Sequence, residues 1–80
     1  MPELTLLTRP GCHLCDDARD VVAGVLAGLP AGAVALTERS IVDDPDLLAR
    51  YAEDIPVVLV DGEVHAFWRV DPDRLRAALT

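Results

Sequence analysis

The only two cysteines of this chain stand three residues apart, as Cys12-His13-Leu14-Cys15, directly after the apolar run Leu4-Thr5-Leu6-Leu7-Thr8. Two thiols at this spacing, placed where a strand gives way to a helix, can close into a small disulfide ring or act as attacking and resolving partners in thiol exchange. The free N–H groups and positive dipole end of a helix's first turn stabilise a thiolate, the reactive form of cysteine. The spacing therefore points first to redox chemistry, with Cys12 and Cys15 as the candidate catalytic residues. Two alternatives use the same residues. One is half of a tetrahedral zinc site, in which His13 and His65 would supply what a second cysteine pair normally does. The other is a pair of inert thiols behaving as small hydrophobes.

The elements that position the pair follow from the apolar pattern. From Leu14 onward, Ala18, Val21, Val22, Val25, Leu26 and Leu29 recur in steps that build one stripe on a 3.6-residue helix, and Gly28, Pro30 and Gly32 end it. Cys15 lies two turns before Val22 and shares its buried azimuth. Cys12 lies one turn earlier, where the chain is still a loop. One exposed and one covered thiol is the arrangement in which the first attacks and the second resolves.

A second strand is expected over Val34 to Arg39, parallel to the first because a helix joins them. Asp44-Pro45-Asp46 is a helix start, with Asp44 as N-cap and Pro45 at the first helical position, and Leu47, Leu48 and Tyr51 form the apolar side. Ile55-Pro56 leads into Val57-Val58-Leu59-Val60, a strand buried on both faces with proline at its entrance. Asp61-Gly62 signals a tight hairpin turn into a returning strand from Val64 to Trp68. Asp71-Pro72-Asp73 starts a last helix, packed through Leu75, Ala78 and Leu79. The alternation of strands and helices over residues 1–80 reads as one α/β domain with the order β-α-β-α-β-β-α.

Composition narrows the function. The net charge is −7, carried against seven arginines and no lysine. Such a surface repels phosphate backbones and anionic lipid, so neither nucleic acid nor membrane is an expected partner. No apolar run approaches the roughly 20 residues of a membrane span, and no basic-then-apolar leader opens the chain. The expected setting is the cytoplasm, where a lasting structural disulfide is unusual and a catalytic one is not. Eighty residues with 51% hydrophobic content suffice for a small core, and the protein is expected to act as a monomer without a bound cofactor.

The order of elements resembles the thioredoxin and glutaredoxin fold, a four-stranded mixed sheet with flanking helices, over essentially the whole chain. Arg9-Pro10-Gly11-Cys12-His13-Leu14-Cys15 resembles the glutaredoxin active-site loop; Asp44-Pro45 with Tyr51, and Ile55-Pro56-Val57, resemble its middle segment, and Asp61-Gly62 its hairpin. The pattern is most similar to short bacterial glutaredoxin-like proteins with Cys-x-Leu-Cys. The resemblance implies Cys12 as nucleophile, Cys15 as resolving thiol, and a cis Ile55-Pro56 peptide presenting the Ile55 backbone to an extended substrate. It also implies a ligand-holding role for Arg9, whose cation would favour the Cys12 thiolate. It brings a further alternative too, an iron-sulfur cluster held between two protomers by the same cysteines, and a redox-inactive adaptor using the acidic surface stands as another.

The chain departs from that pattern in three places. His13-Leu14 stands where glutaredoxins carry Pro-Tyr or Pro-Phe, so a groove-lining aromatic is missing. Phe67-Trp68-Arg69-Val70 replaces the Gly-Gly turn that helps grip glutathione, and Gly11 stands where thioredoxins have tryptophan. The expected partners are therefore protein disulfides or small mixed disulfides, with a reductase as electron donor and glutathione as a poor substrate. Strand direction brings Pro56 and the end of the last strand back to the thiol end of the sheet, so Trp68 is expected to flank the site and supply the aromatic surface that Leu14 does not.

Overall fold

Residue by residue, the start and stop signals are used. In a computed structural model describing residues 1–80, the chain forms β1 (Glu3–Thr8), α1 (His13–Ala27), β2 (Ala35–Ser40), a single 3-10 turn (Ile41–Asp43), α2 (Pro45–Tyr51), β3 (Val57–Val60), β4 (Glu63–Phe67) and α3 (Pro72–Leu79). The Asp44 carboxylate accepts the N–H groups of Asp46 and Leu47 at 2.9 and 3.3 Å, and Asp71 accepts those of Asp73 and Arg74 at 2.9 and 3.2 Å. Each cap satisfies two amides that the helix itself leaves free, worth about 1 kcal/mol per cap. Asp61 and Gly62 take φ of 52° and 84°, the left-handed pair of a two-residue hairpin turn. Asp61 also accepts the Glu3 N–H through its side chain and donates its own to the Glu3 carbonyl, each at 2.8 Å, which ties the turn to β1.

The sheet order is β2-β1-β3-β4. β1 pairs with β2 in parallel (Leu4 opposite Leu36, Thr8 opposite Ser40) and with β3 antiparallel (Leu7 opposite Val57). β4 returns antiparallel to β3, with an irregularity between Val58 and Leu59. Alternation along the strands sends Leu4, Leu6 and Val58 to one face, where they bury against Ala18, Val22 and Val25 of α1 and Leu75 and Leu79 of α3. Leu7 and Val57 point to the other face and form a smaller cluster with Ile41, Ile55 and Cys15. The thiol end of the sheet is thus where β1 and β2 finish and β3 begins.

Local details differ from expectation where burial depends on distant partners. β2 runs from Ala35 to Ser40, one residue later than expected, and is exposed along nearly its whole length because it forms the sheet's edge. α2 has no fully buried residue, and Leu48 is 43% exposed. Ala78 of α3 is exposed, leaving Leu75 and Leu79 to hold the helix down. β4 ends at Phe67, so Trp68 lies just outside the strand. No helix is long and apolar enough to cross a membrane.

Candidate active site

Cys12 is the N-cap of α1, with extended backbone (φ −104°, ψ 115°), and its Sγ accepts the N–H of Cys15 at 3.2 Å. Its carbonyl accepts the first helical bond, from the N–H of Asp16 at 3.2 Å. The thiol therefore fills the place that an Asp or Ser side chain fills at most helix starts, where an amide donor and the dipole favour negative charge. Gly11, at φ 72°, turns the loop into that position in a conformation that glycine adopts without Cβ strain. Cys12 is half-buried and Cys15 is 0% exposed, and both are free thiols. This separation matches the one expected from the helix wheel.

The two thiols have opposite electrostatics. Burial pushes Cys12 up, but hydrogen bonds from the thiol and backbone N–H of Cys15, with the charge and hydrogen bond of Arg9, more than offset it, leaving Cys12 below its ordinary value. Cys15 is pushed up to about 11 by burial, by the hydrogen bond it gives to Cys12 and by the charge of a Cys12 thiolate, against weaker opposing effects of the Arg9 backbone and the Arg19 cation. Of the two thiols, the outer one gives up its proton first. Covalent engagement of Cys12 would remove two of the three influences that hold the proton on Cys15.

Of the other expected residues, Arg9 acts on Cys12 directly. The Ile55-Pro56 peptide is cis; Ile55 packs in the same cluster as Cys15, and Pro56 is fully buried. Trp68 is brought to this segment by two hydrogen bonds, from its backbone N–H to the Pro56 carbonyl at 2.9 Å and from its indole N–H to the Glu53 carbonyl at 3.0 Å. It is 51% exposed, stacks edge-on against Phe67 with centroids 5.1 Å apart, and has φ of 67°. A left-handed bulky residue is rare, and this one occupies the turn for which the family pattern uses glycine. His13 is exposed and Leu14 half-buried on the first turn of α1, beside the thiols in sequence but outside the packed cluster.

Several neighbours were not expected. Ile41, from the 3-10 turn, and Tyr51, from α2, pack against the Cys15 cluster. On α1, Arg19 donates through Nε to both oxygens of Glu38 on β2 at 2.9 and 3.0 Å and through Nη1 to Asp16 at 2.6 Å, while the buried Thr8 hydroxyl donates to Glu38 at 3.3 Å. Arg19 stands four residues after Cys15, a spacing visible in sequence; its partner Glu38 depends on strand register and was not. The one cavity, about 210 Å³ lined by Leu26, Leu29 and Val34 among others, lies at the far end of α1 from the thiols. No three His, Cys, Asp or Glu side chains converge as a single-chain metal site would need, so the zinc alternative finds no third ligand within the chain.

Comparison with known proteins fits this geometry. Residues 3–80 match the model of a glutaredoxin-like domain (DUF836). An uncharacterized protein of Mycobacterium tuberculosis is 35% identical over 78 residues, spanning 95% of this chain and 80% of that one. A Dictyostelium discoideum protein named as glutaredoxin-like is 27% identical over 75 residues, spanning 90% of this chain and 69% of its own. Among solved structures, an X. campestris structural-genomics target superposes with a TM-score of 0.74 at 37% identity, covering 95% of this chain and 93% of that one. A malarial protein shares the fold at a TM-score of 0.72 with 11% identity, covering 99% of this chain and 93% of that one.

Proposed function

The chain belongs to the glutaredoxin-like domain family, and on that premise we propose that it is a thiol-disulfide oxidoreductase in which Cys12 attacks and Cys15 resolves. The observation that carries the reading is the helix-capping Cys12 thiol, which accepts the Cys15 amide beside Arg9 while Cys15 stays protonated and fully buried behind it. In the first step the Cys12 thiolate attacks one sulfur of a substrate disulfide, forming a Cys12 mixed disulfide and expelling the other sulfur as a thiolate that takes a proton from water. In the second, Cys15 loses its proton and attacks Cys12 Sγ, forming the Cys12–Cys15 disulfide and releasing the bound half as a thiol. The substrate gains two electrons and the protein loses two; a reductase would return them.

Protein disulfides or small mixed disulfides are the substrates this surface favours. Cys12 opens onto the surface rather than into a cavity, and the Ile55-Pro56 segment beside the pair is held by Trp68. An indole occupies the turn where the resembled family places its Gly-Gly grip on glutathione, which supports glutathione as a poor partner. The test is an exchange assay with a protein disulfide and a glutathionylated peptide in parallel, using wild type, Cys12→Ser and Cys15→Ser. We expect turnover of the protein disulfide, none with Cys12→Ser, and accumulation of a mixed disulfide on Cys12 with Cys15→Ser. Absence of exchange by the folded wild type would refute the oxidoreductase reading, and turnover of the glutathionylated peptide equal to that of the protein disulfide would refute the stated preference.

A further inference from the structure

The second displacement needs a thiolate from Cys15, a sulfur with no exposed surface in a cluster of Leu7, Ile41, Ile55 and Val57. Burial of that kind opposes ionisation, so what steadies the charge decides how fast a mixed disulfide resolves. The charged and titratable groups around Cys15 are few. Cys12 and Arg9 come from the loop, Asp16 and Arg19 from α1 and, through Arg19, Glu38 from β2 with Thr8 of β1 bonded to it; α2 contributes Tyr51, the 3-10 turn carries Asp43, and the residues packed on Cys15 from β1, β3 and that turn are Leu7, Val57 and Ile41. During resolution Cys12 is engaged in a disulfide and carries no charge. The Arg9 guanidinium acts on Cys12, while its backbone gives Cys15 a neutral hydrogen bond that favours the thiolate.

Arg19 remains. It stands one turn after Cys15 on the same helical face, the spacing that sets Cβ atoms about 5–6 Å apart. It is held in place from three elements: Glu38 of β2 receives Nε with both oxygens, Asp16 of α1 receives Nη1, and the Thr8 hydroxyl at the end of β1 donates to the Glu38 carboxylate. A free arginine at a helix surface samples many rotamers, whereas this one is held by Glu38 and Asp16 one helical turn from Cys15. We infer that Arg19, clamped by Glu38, is a positioning residue that stabilises the Cys15 thiolate in the second displacement. The inference deepens the oxidoreductase reading and rests on it for its purpose, though not for its measurement. The favourable action of the Arg19 charge on Cys15 agrees with it.

The step itself is unchanged: Cys15 gives up its proton and attacks Cys12 Sγ, the Cys12–substrate sulfur bond breaks, and the substrate sulfur leaves as a thiolate that takes up a proton to become the thiol. Arg19 neither donates nor accepts a proton.

The two partners of the clamp predict opposite signs. In a Cys12→Ser background, which leaves a neutral group beside Cys15 as covalent engagement does, the titration of Cys15 is followed by its Cβ chemical shift. Arg19→Gln removes the cation and leaves Glu38 and Asp16 unopposed, so the Cys15 thiolate fraction at fixed pH should fall by about 2- to 5-fold, the range of a partly exposed ion pair. Glu38→Gln keeps the cation, still held by Asp16, and removes its counter-charge, so the fraction should rise. Arg19→Lys should recover most of the loss, and Arg76→Gln in α3, which changes net charge equally, should leave the titration where it is. A purely structural clamp would move both clamp variants the same way through loosened packing. Equal signs, or an unmoved titration in Arg19→Gln, would overturn the inference even if the wild type exchanges disulfides normally. Opposite signs would establish it even if the wild type had no exchange activity. With Cys12 present, resolution of a preformed Cys12 mixed disulfide near neutral pH should slow in Arg19→Gln by about 1.5- to 2-fold, less than the thiolate fraction falls because the less acidic sulfur is the better nucleophile, and an unchanged resolution rate would also overturn it.

Discussion

Alkylation of the reduced protein should separate the two thiols by a factor that the structure fixes from below. Cys12 lies under its ordinary 9.0 and Cys15 at about 11. A gap of at least about two units makes the Cys12 thiolate fraction near neutral pH at least about 100-fold larger. The lower-pKa sulfur is intrinsically the weaker nucleophile, which returns about 10-fold over that gap. A net preference of at least about 10-fold for Cys12 therefore follows from ionisation alone, and the 0% exposure of Cys15 adds to it. The assay is iodoacetamide labelling with mass mapping of each cysteine over time. The informative perturbation is Cys12→Ser, which removes the thiolate charge that holds the Cys15 proton and leaves a neutral hydroxyl in its place, so Cys15 should label faster in the variant than in wild type. Equal rates in wild type, or no acceleration of Cys15 in Cys12→Ser, would refute the unequal acidity of the two thiols and with it the assignment of roles.

Two further outcomes follow from the same structure. Because the folded value for Cys15 is raised from 9.0 to about 11, the stability it confers is fully present below pH 9 and lost as pH rises to 11; reduced protein should weaken there by on the order of 2 kcal/mol, and denaturation of Cys15→Ala across that window should show a flatter profile. Trp68→Phe removes the indole bond to Glu53 and should cost about 1 kcal/mol by denaturant unfolding, whereas Trp68→Gly also relieves a left-handed backbone worth about 1–2 kcal/mol and should be no less stable than Trp68→Phe; a clearly less stable glycine variant would contradict the strain argument.

What could be read from sequence was whatever local chemistry determines. Asp44 and Asp71 cap helices wherever they fall, Asp61-Gly62 makes the same turn in any hairpin, and the seven-residue step from Cys15 to Val22 puts the Cys15 thiol inward whatever lies beneath it. The Cys12 position followed equally, because a loop residue one turn before a buried helical one has nowhere else to be. What was not legible depended on partners distant in the chain. The exposure of β2 follows from its place at the sheet edge, and the Arg19–Glu38 pairing from strand register. The turn at Ile41–Asp43 is too short to show a period, yet it delivers Ile41 to the Cys15 cluster. Trp68 was placed correctly beside Pro56 by strand direction, but its left-handed φ was hidden, because nothing in a tryptophan side chain announces a conformation that glycine ordinarily takes.

The division of the core into two clusters has a consequence for how such a chain changes over generations. The larger cluster, shared by α1, α3 and the sheet, contains neither thiol, whereas the smaller one houses Cys15 among residues from β1, the 3-10 turn, β3 and the segment leading into it. The packing between the helices and the surroundings of Cys15 are thereby inherited at different positions. On the proposed exchange chemistry, a lineage adapting to heat can exchange valines and leucines between the helices without touching the residues around Cys15, and one adapting to a new reductant can vary Ile41 or Ile55 without surrendering the helical packing that keeps it folded.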